Sequence, residues 1–415
     1  MILYGKLLAA AILLLALLPW AHAAAPYDFS SPAGDPADLS FWPNQTSRAN
    51  SDSWLAEHHD SIRKMQPRVL VLNFHNRSPR AKLDKLVGDL IAALGEGSRY
   101  HGYADSNAPA FLQYKVFKFV DLREPESTNA NSSKVPFKSG KTSGFKLDYN
   151  AFFSEEFARE YGIKDPTQLN RFLRLDELVD GGYVHELWFL ADQVKAFGAY
   201  EVVEEKPLYD ATFHRIGNRF VQAGNGGDDE QKWTGRSLRI GFINVTRGIG
   251  CFMESLSHGM EGNSTSKAVP YFTKYFSEYA GYDVHERWGV PFYTFYAVPY
   301  SGKPLSYPTS DTAVIQWRGK EITVTNYFVI GGNAHWPPNA RGHYDLDNTV
   351  PVLSTIEDWR IGSGPDGRDL RKPFTNEAFA RYRKLAPDCM GAWLVYWRQN
   401  MPGLDNRQKD DSGKP

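Results

Sequence analysis

The spacing of apolar and polar positions changes period several times along the chain. Residues 68–74 (RVLVLNF) are apolar on both faces, which predicts a strand buried on two sides, as in a parallel sheet. Ser78-Pro79 punctuates, and the amphipathic run 81–94 predicts a helix. A second strand is expected over 114–120, ending at Asp121. Residues 124–145, rich in Ser, Asn, Lys and Gly without periodicity, read as a surface loop or insertion. A helix over 169–178 breaks at Gly181-Gly182, and strands follow over 185–191 and 238–245. Gly248-Ile249-Gly250 then opens a helix to about Met260. This alternation predicts an α/β fold: a doubly wound, mostly parallel sheet flanked by helices.

Between 290 and 330 the runs become aromatic and β-branched (292–298 and 323–330), with a turn near Arg318-Gly319, which predicts an antiparallel hairpin or small subdomain. Helices are expected over 377–384 and 391–400. The resulting organisation is an N-terminal extension over 24–64, a single α/β domain over 65–400 carrying the β-rich insertion at about 290–330, and a flexible polar tail over 401–415. No internal repeat is present.

The start of the chain changes the picture. Lys6 precedes an unbroken apolar run over 7–18, and Ala21-His22-Ala23 offers small residues to a signal peptidase. Residues 1–23 therefore read as a signal peptide cleaved after Ala23, since the run falls short of the roughly 20 residues a membrane-spanning helix needs. The expected location is secreted or periplasmic, with no stable membrane span. A 42% hydrophobic, 23% charged composition is that of a globular chain, and a net charge of -1 without a basic cluster argues against nucleic acid. Aromatic residues make up 14%, enough both to fill a core and to stack on sugar rings. Two cysteines, Cys251 and Cys389, exclude a disulfide scaffold and leave open both a single bridge and two buried thiols. Sequons stand at Asn44, Asn76, Asn131, Asn244 and Asn263.

Candidate chemistry concentrates after the strand 238–245. On a helix, Glu254, His258 and Glu261 share one narrow face while Phe252, Met253, Leu256 and Met260 take the other. Two carboxylates and an imidazole can exchange protons or hold a metal; the bland alternative is a solvated polar stripe. Arg247 and the amides of that helix start could receive an anion at the carboxyl edge of the sheet. A second polar cluster, Gly331-Gly332-Asn333-Ala334-His335-Trp336-Pro337-Pro338-Asn339, leads into His343-Tyr344-Asp345, an acid-rich stretch that reads as a turn rather than a calcium loop.

These motifs, with 68–74, 185–189, Tyr200-Glu201 and Asp358-Trp359, resemble an uncharacterised family of secreted microbial α/β proteins. The resemblance spans most of the chain after the signal and brings no activity with it. It implies that Glu201, Glu254, His258, Glu261, Asn333, His335 and Asp345 are shared pattern positions. Where that pattern has an acidic residue at the end of the first strand, this chain has His75, so the resemblance implies no ligand role there.

Zincin, P-loop, dinucleotide and Gly-x-Ser-x-Gly signatures are missing, and no serine nucleophile stands out. The leading expectation is a secreted hydrolase acting on an extracellular or cell-wall glycan. Glu254 with Glu201 or Glu261 would serve as acid and base, and His258 would orient or charge them. Substrate contacts are expected from Arg247, Asn333, His335, Trp336, Tyr344 and Asp345; the sequence establishes no cofactor and leaves zinc or another divalent metal open. One alternative is an amidase, peptidase or deacetylase using zinc or another divalent metal held by His258, Glu261 and His335, with Glu254 activating water. The other is a non-catalytic carbohydrate- or surface-binding protein.

Overall fold

The structure, a computed structural model, describes residues 27, 29, 38–44, 54, 64–97, 112–140, 144–168, 170–193, 202–212, 214–224, 232, 234–246, 252, 262, 267–268, 306–309, 312–317 and 320–325. In chain order the elements are β1 (Phe41–Trp42), β2 (Lys64–Met65), β3 (Arg68–Asn73), α1 (Arg80–Gly97), β4 (Lys115–Asp121), β5 (Phe137–Gly140) and β6 (Gly144–Leu147). A 3-10 turn (Tyr149–Phe153), α2 (Glu155–Tyr161), α3 (Leu175–Asp180), β7 (Glu186–Ala191), β8 (Val202–Tyr209), β9 (Arg215–Gln222) and β10 (Leu238–Asn244) follow. Last come β11 (Ser306–Thr309), β12 (Thr312–Trp317) and β13 (Lys320–Val324).

Six strands form one mixed sheet in the order β4-β3-β7-β10-β8-β9. From β4 to β10 neighbours run parallel; β8 and β9 continue the sheet antiparallel. The fold is thus mixed α/β. Every residue of β3, β7 and β10 is buried, as strands apolar on both faces require. Leu70, Leu72, Leu187, Phe189, Ile240 and Phe242 point to one face and join Tyr149, Phe152, Phe157, Leu175 and Leu178 in a single core. Phe189 and Phe242 stack there with ring centroids 5.1 Å apart. Two short helices are fastened over this face. Ser154 Oγ accepts from Phe157 N at 3.2 Å to start α2, and Gly162 ends it in the left-handed conformation at φ 58. Glu177 accepts from Arg174 N at 2.9 Å to start α3.

Because β3 and β4 are parallel neighbours, α1 crosses over the sheet between them and buries Leu83, Val87, Leu90 and Leu94. Residues alternating with the aromatic core face the opposite side, and on β7, β8 and β10 several of them are ionic. Arg239 Nη1 lies 3.0 Å from Glu186 Oε1 and its Nε 3.1 Å from Glu204 Oε2, while Lys206 Nζ is 2.9 Å from Glu204 Oε1. Tyr114 Oη and Trp188 Nε1 each donate to Glu186 at 2.8 Å. Phe252 closes over Trp188 at 5.1 Å. The approach is possible because Gly241 has no side chain; a Cβ there would meet the Phe252 ring at 3.0 Å. A tighter restriction holds at Gly224, where a Cβ would come within 2.4 Å of the Val202 carbonyl oxygen. Gly224→Ala should therefore cost about 3 kcal/mol, as overpacking against backbone does, and an unchanged thermal midpoint would refute the contact.

Several expectations shift. The helix expected over 169–178 begins at Leu175, because 163–173 folds on itself instead: Leu173 N donates to Ile163 O at 2.8 Å, and Arg171 Nη2 pairs with Asp165 at 2.9 Å. The stretch 124–145 is not loop throughout, since β5 and β6 pair as a hairpin over 137–147. Where a β-rich insertion was expected, β11, β12 and β13 form an antiparallel sheet, with the β12–β13 reversal between Trp317 and Lys320, where the turn was expected. The segment 292–298, most of 323–330, the helices expected over 377–384 and 391–400, the tail and residues 1–23 lie outside the described residues. Among the described residues no helix is long and apolar enough to cross a membrane, which says nothing of a β-barrel.

Candidate active site

Each of the four parallel strands hands over to a polar residue at or just past its carboxyl end: Asn73, Asp121, Asp192 and Asn244. In open α/β sheets ligands gather at this edge, above the point where successive strands are added on opposite sides. Here that point is β3, flanked by β4 and β7. The chain leaving β3 runs Phe74-His75-Asn76-Arg77-Ser78 into α1, and the chain leaving β7 continues into Asp192.

His75 is the centre of this edge. Its Nε2 is 2.9 Å from Ser78 Oγ, and its Nδ1 is 3.2 Å from Asp192 Oδ1. His75, Ser78 and Asp192 are all buried. The Nδ1–Oδ1 separation is that of an ion pair, and among the described residues neither atom has a hydrogen-bond partner. The contact is electrostatic: the Asp192 carboxylate acts on the imidazole through its field. Burial pushes the His75 imidazole below its ordinary range; Asp192 pulls it up without prevailing, and the fields of Lys82 and Arg77 add to the lowering. His75 is therefore neutral at physiological pH and able to accept a proton.

The loop 122–135 folds back to hold the group in place. Ser132 N donates to Phe74 O at 2.7 Å and Asn76 N to Ala130 O at 2.9 Å. Asn131 clasps the Asp192 backbone, its Oδ1 accepting from Asp192 N at 2.7 Å and its Nδ2 donating to Asp192 O at 2.9 Å. Asn76 is used in the same way, accepting from Glu124 N at 2.8 Å and donating to Asn129 O at 3.2 Å. Two of the sequon asparagines are thus structural fasteners. Asn44 and Asn244 are buried as well, and Asn263 lies outside the described residues.

A serine hydroxyl on the Nε2 of a neutral imidazole, with a carboxylate behind Nδ1, is an arrangement that activates an oxygen nucleophile. Pro79 has no N–H, so an oxyanion site cannot be built on the residue after the serine. The next amides, Arg80 and Ala81, stand in the first turn of α1 and lack intrahelical acceptors.

The residues that the sequence pattern singled out, Glu201, Arg247, Glu254, His258, Glu261, Asn333, His335, Trp336, Tyr344 and Asp345, lie outside the described residues, as do Cys251 and Cys389. Phe252, from the apolar side of the expected 248–260 helix, is fully buried. Among the described residues no group of three or more His, Cys, Asp or Glu is placed to hold a metal ion. His75, Ser78 and Asp192 were missed as a group, although His75 and Asp192 directly follow strands that were legible and Ser78 stands three residues past His75. The usable signal was the polar residue just past each doubly buried strand.

Compared with protein-family models, with curated proteins and with solved structures, the chain matches none of them.

Proposed function

We propose that this protein is an exported hydrolase that cleaves acyl esters borne by an extracellular or cell-wall glycan, with Ser78 as nucleophile, His75 as general base and Asp192 orienting the imidazole. The observation that carries the reading is the chain of contacts from Ser78 Oγ through His75 to Asp192 at the carboxyl edge between β3 and β7. It fits a doubly wound, mostly parallel sheet, in which α1 covers one face, α2 and α3 the other, and the crevice lies where strand order reverses. Export and a glycan partner come from the signal-like start and the aromatic content. The bond is taken as an ester rather than a glycosidic link because the described geometry supplies a nucleophile and base, not two facing carboxylates.

In this reading Ser78 Oγ forms a bond to the ester carbonyl carbon while its proton passes to His75 Nε2. The tetrahedral oxyanion collapses, the C–O bond to the sugar breaks, and His75 returns the proton to the departing sugar oxygen. Water, deprotonated by the same nitrogen, then releases the carboxylic acid and restores the serine. Asp192 stabilises the imidazolium that forms in each half.

A fluorophosphonate probe should label the intact protein at Ser78, mapped by peptide mass, and O-acetylated polysaccharide should release acetate. Ser78→Ala should lower turnover by about 10⁴-fold or more. Because neutral His75 is the reactive form and burial lowers its pKa, the acid limb of the rate should have its midpoint below pH 6.5. An unlabelled protein, or labelling that survives Ser78→Ala, overturns the assignment.

A further inference from the structure

The turn that carries the base and the nucleophile is gripped at both ends by one closed circuit of hydrogen bonds. At its start, Asn73 Oδ1 accepts from His75 N at 3.0 Å, and Asn73 Nδ2 donates to Asp121 Oδ1 at 3.0 Å. Asp121 receives a two-pronged grip from Arg123, Nε to Oδ1 at 2.8 Å and Nη2 to Oδ2 at 2.6 Å. The remaining arm of the same guanidinium, Nη1, donates to Ser78 O at 2.8 Å and closes the circuit. Burial pushes the Asp121 carboxyl up, but the hydrogen bonds from Arg123 and Asn73 outweigh it and hold it below its ordinary range, so the carboxylate stays charged.

From this closed circuit we infer that Asp121 and Arg123 are positioning residues for the Ser78–His75 pair, an inference that rests on the hydrolase reading. His75 and Ser78 are joined by a short turn with no regular structure of its own, and 2.9 Å between Nε2 and Oγ demands that both backbones be held. Asn73 fixes the first from β3. Arg123 fixes the second from the end of β4, and Asp121 makes the two restraints one rigid unit across the β3–β4 register, in which Asn73 and Asp121 are paired. Only a planar guanidinium can grip a carboxylate with two nitrogens and still reach a carbonyl with its third; a lysine ammonium cannot. Neither residue touches the hydroxyl or the imidazole, so their effect passes through the geometry of the turn.

The test is the second-order rate at which a fluorophosphonate labels Ser78 in the full chain, measured beside the thermal midpoint. Arg123→Ala should lower the rate about 100-fold, the loss expected when reacting groups slip by about 1 Å. Sub-denaturing guanidinium should restore much of it at matched ionic strength, which a merely structural defect would not show. Should Arg123→Ala fail to fold, Arg123→Lys carries the test: it keeps the charge and loses the fork, so its labelling should remain slow. Labelling of Arg123→Ala or Arg123→Lys at the wild-type rate overturns the positioning role and leaves the hydrolase reading intact. A wild-type chain that does not label at all overturns both.

Discussion

Arg239→Met should destabilise the fold by about 3–5 kcal/mol, the cost of leaving a buried charge without its partner. On the sheet face opposite the aromatic core, Glu186 and Glu204 are opposed by Arg239 and Lys206, and all four side chains are at most 5% exposed. Among the described residues the four charges balance. Removing Arg239 leaves one net negative charge among these described side chains, all of them buried. Glu186 keeps its neutral donors Tyr114 and Trp188, and Glu204 keeps Lys206, so the uncompensated charge and not a missing hydrogen bond dominates. Adding Glu204→Gln restores neutrality and should recover about 1–2 kcal/mol in the double variant. Urea unfolding midpoints of the single and double variants decide this, and a double variant no more stable than Arg239→Met would show that charge balance is not the source.

Stability should also trace a dome with pH, highest between about pH 4.5 and 6.5, set by two buried groups pulling in opposite directions. His185 precedes β7, and its Nδ1 accepts from Arg68 N at 2.9 Å. Burial, with the positive fields of Arg68 and Arg236, holds it down at about 3, against 6.5 when unfolded. Between those values the unfolded chain binds the extra proton. The contribution of His185 is therefore complete above pH 6.5 and is lost as pH falls toward 3, on the order of 5 kcal/mol in all. Glu205 is the converse. Burial pushes it up to about 8 from 4.5, with the Thr234 N–H at 3.3 Å and Gln222 only partly offsetting this. Here the folded chain binds the extra proton, so stability is complete below pH 4.5 and is lost as pH rises through 8. The two slopes cancel where they overlap. Glu205→Gln should remove the alkaline limb and gain about 3 kcal/mol over wild type at pH 8.5, with little change at pH 4. Denaturant midpoints taken across that range with the same alkaline slope in both proteins would refute it.

What the amino-acid order determined by itself is the set of elements whose burial is written locally. Residues 68–74, 185–191 and 238–245 are apolar on both faces, so no strand-to-surface arrangement suits them, and β3, β7 and β10 lie there. The helical period over 81–94 marked α1 for the same reason. β8 was illegible because Glu204, Glu205 and Lys206 look like solvated residues; what permits their burial is Arg239 on a strand met 33 positions after Lys206, together with a proton on Glu205. β9 carries no alternation because most of it faces solvent at the sheet edge. The candidate site depended still more on the third dimension. His75 and Ser78 are close in the chain, but Asp192 reaches them only because β7 pairs parallel to β3, which brings two carboxyl ends side by side. Local propensity acts over a few residues and decides helix, strand and turn. Which polar ends become neighbours is decided by strand order, and that order minimises exposed apolar surface over the whole sheet rather than along any one segment.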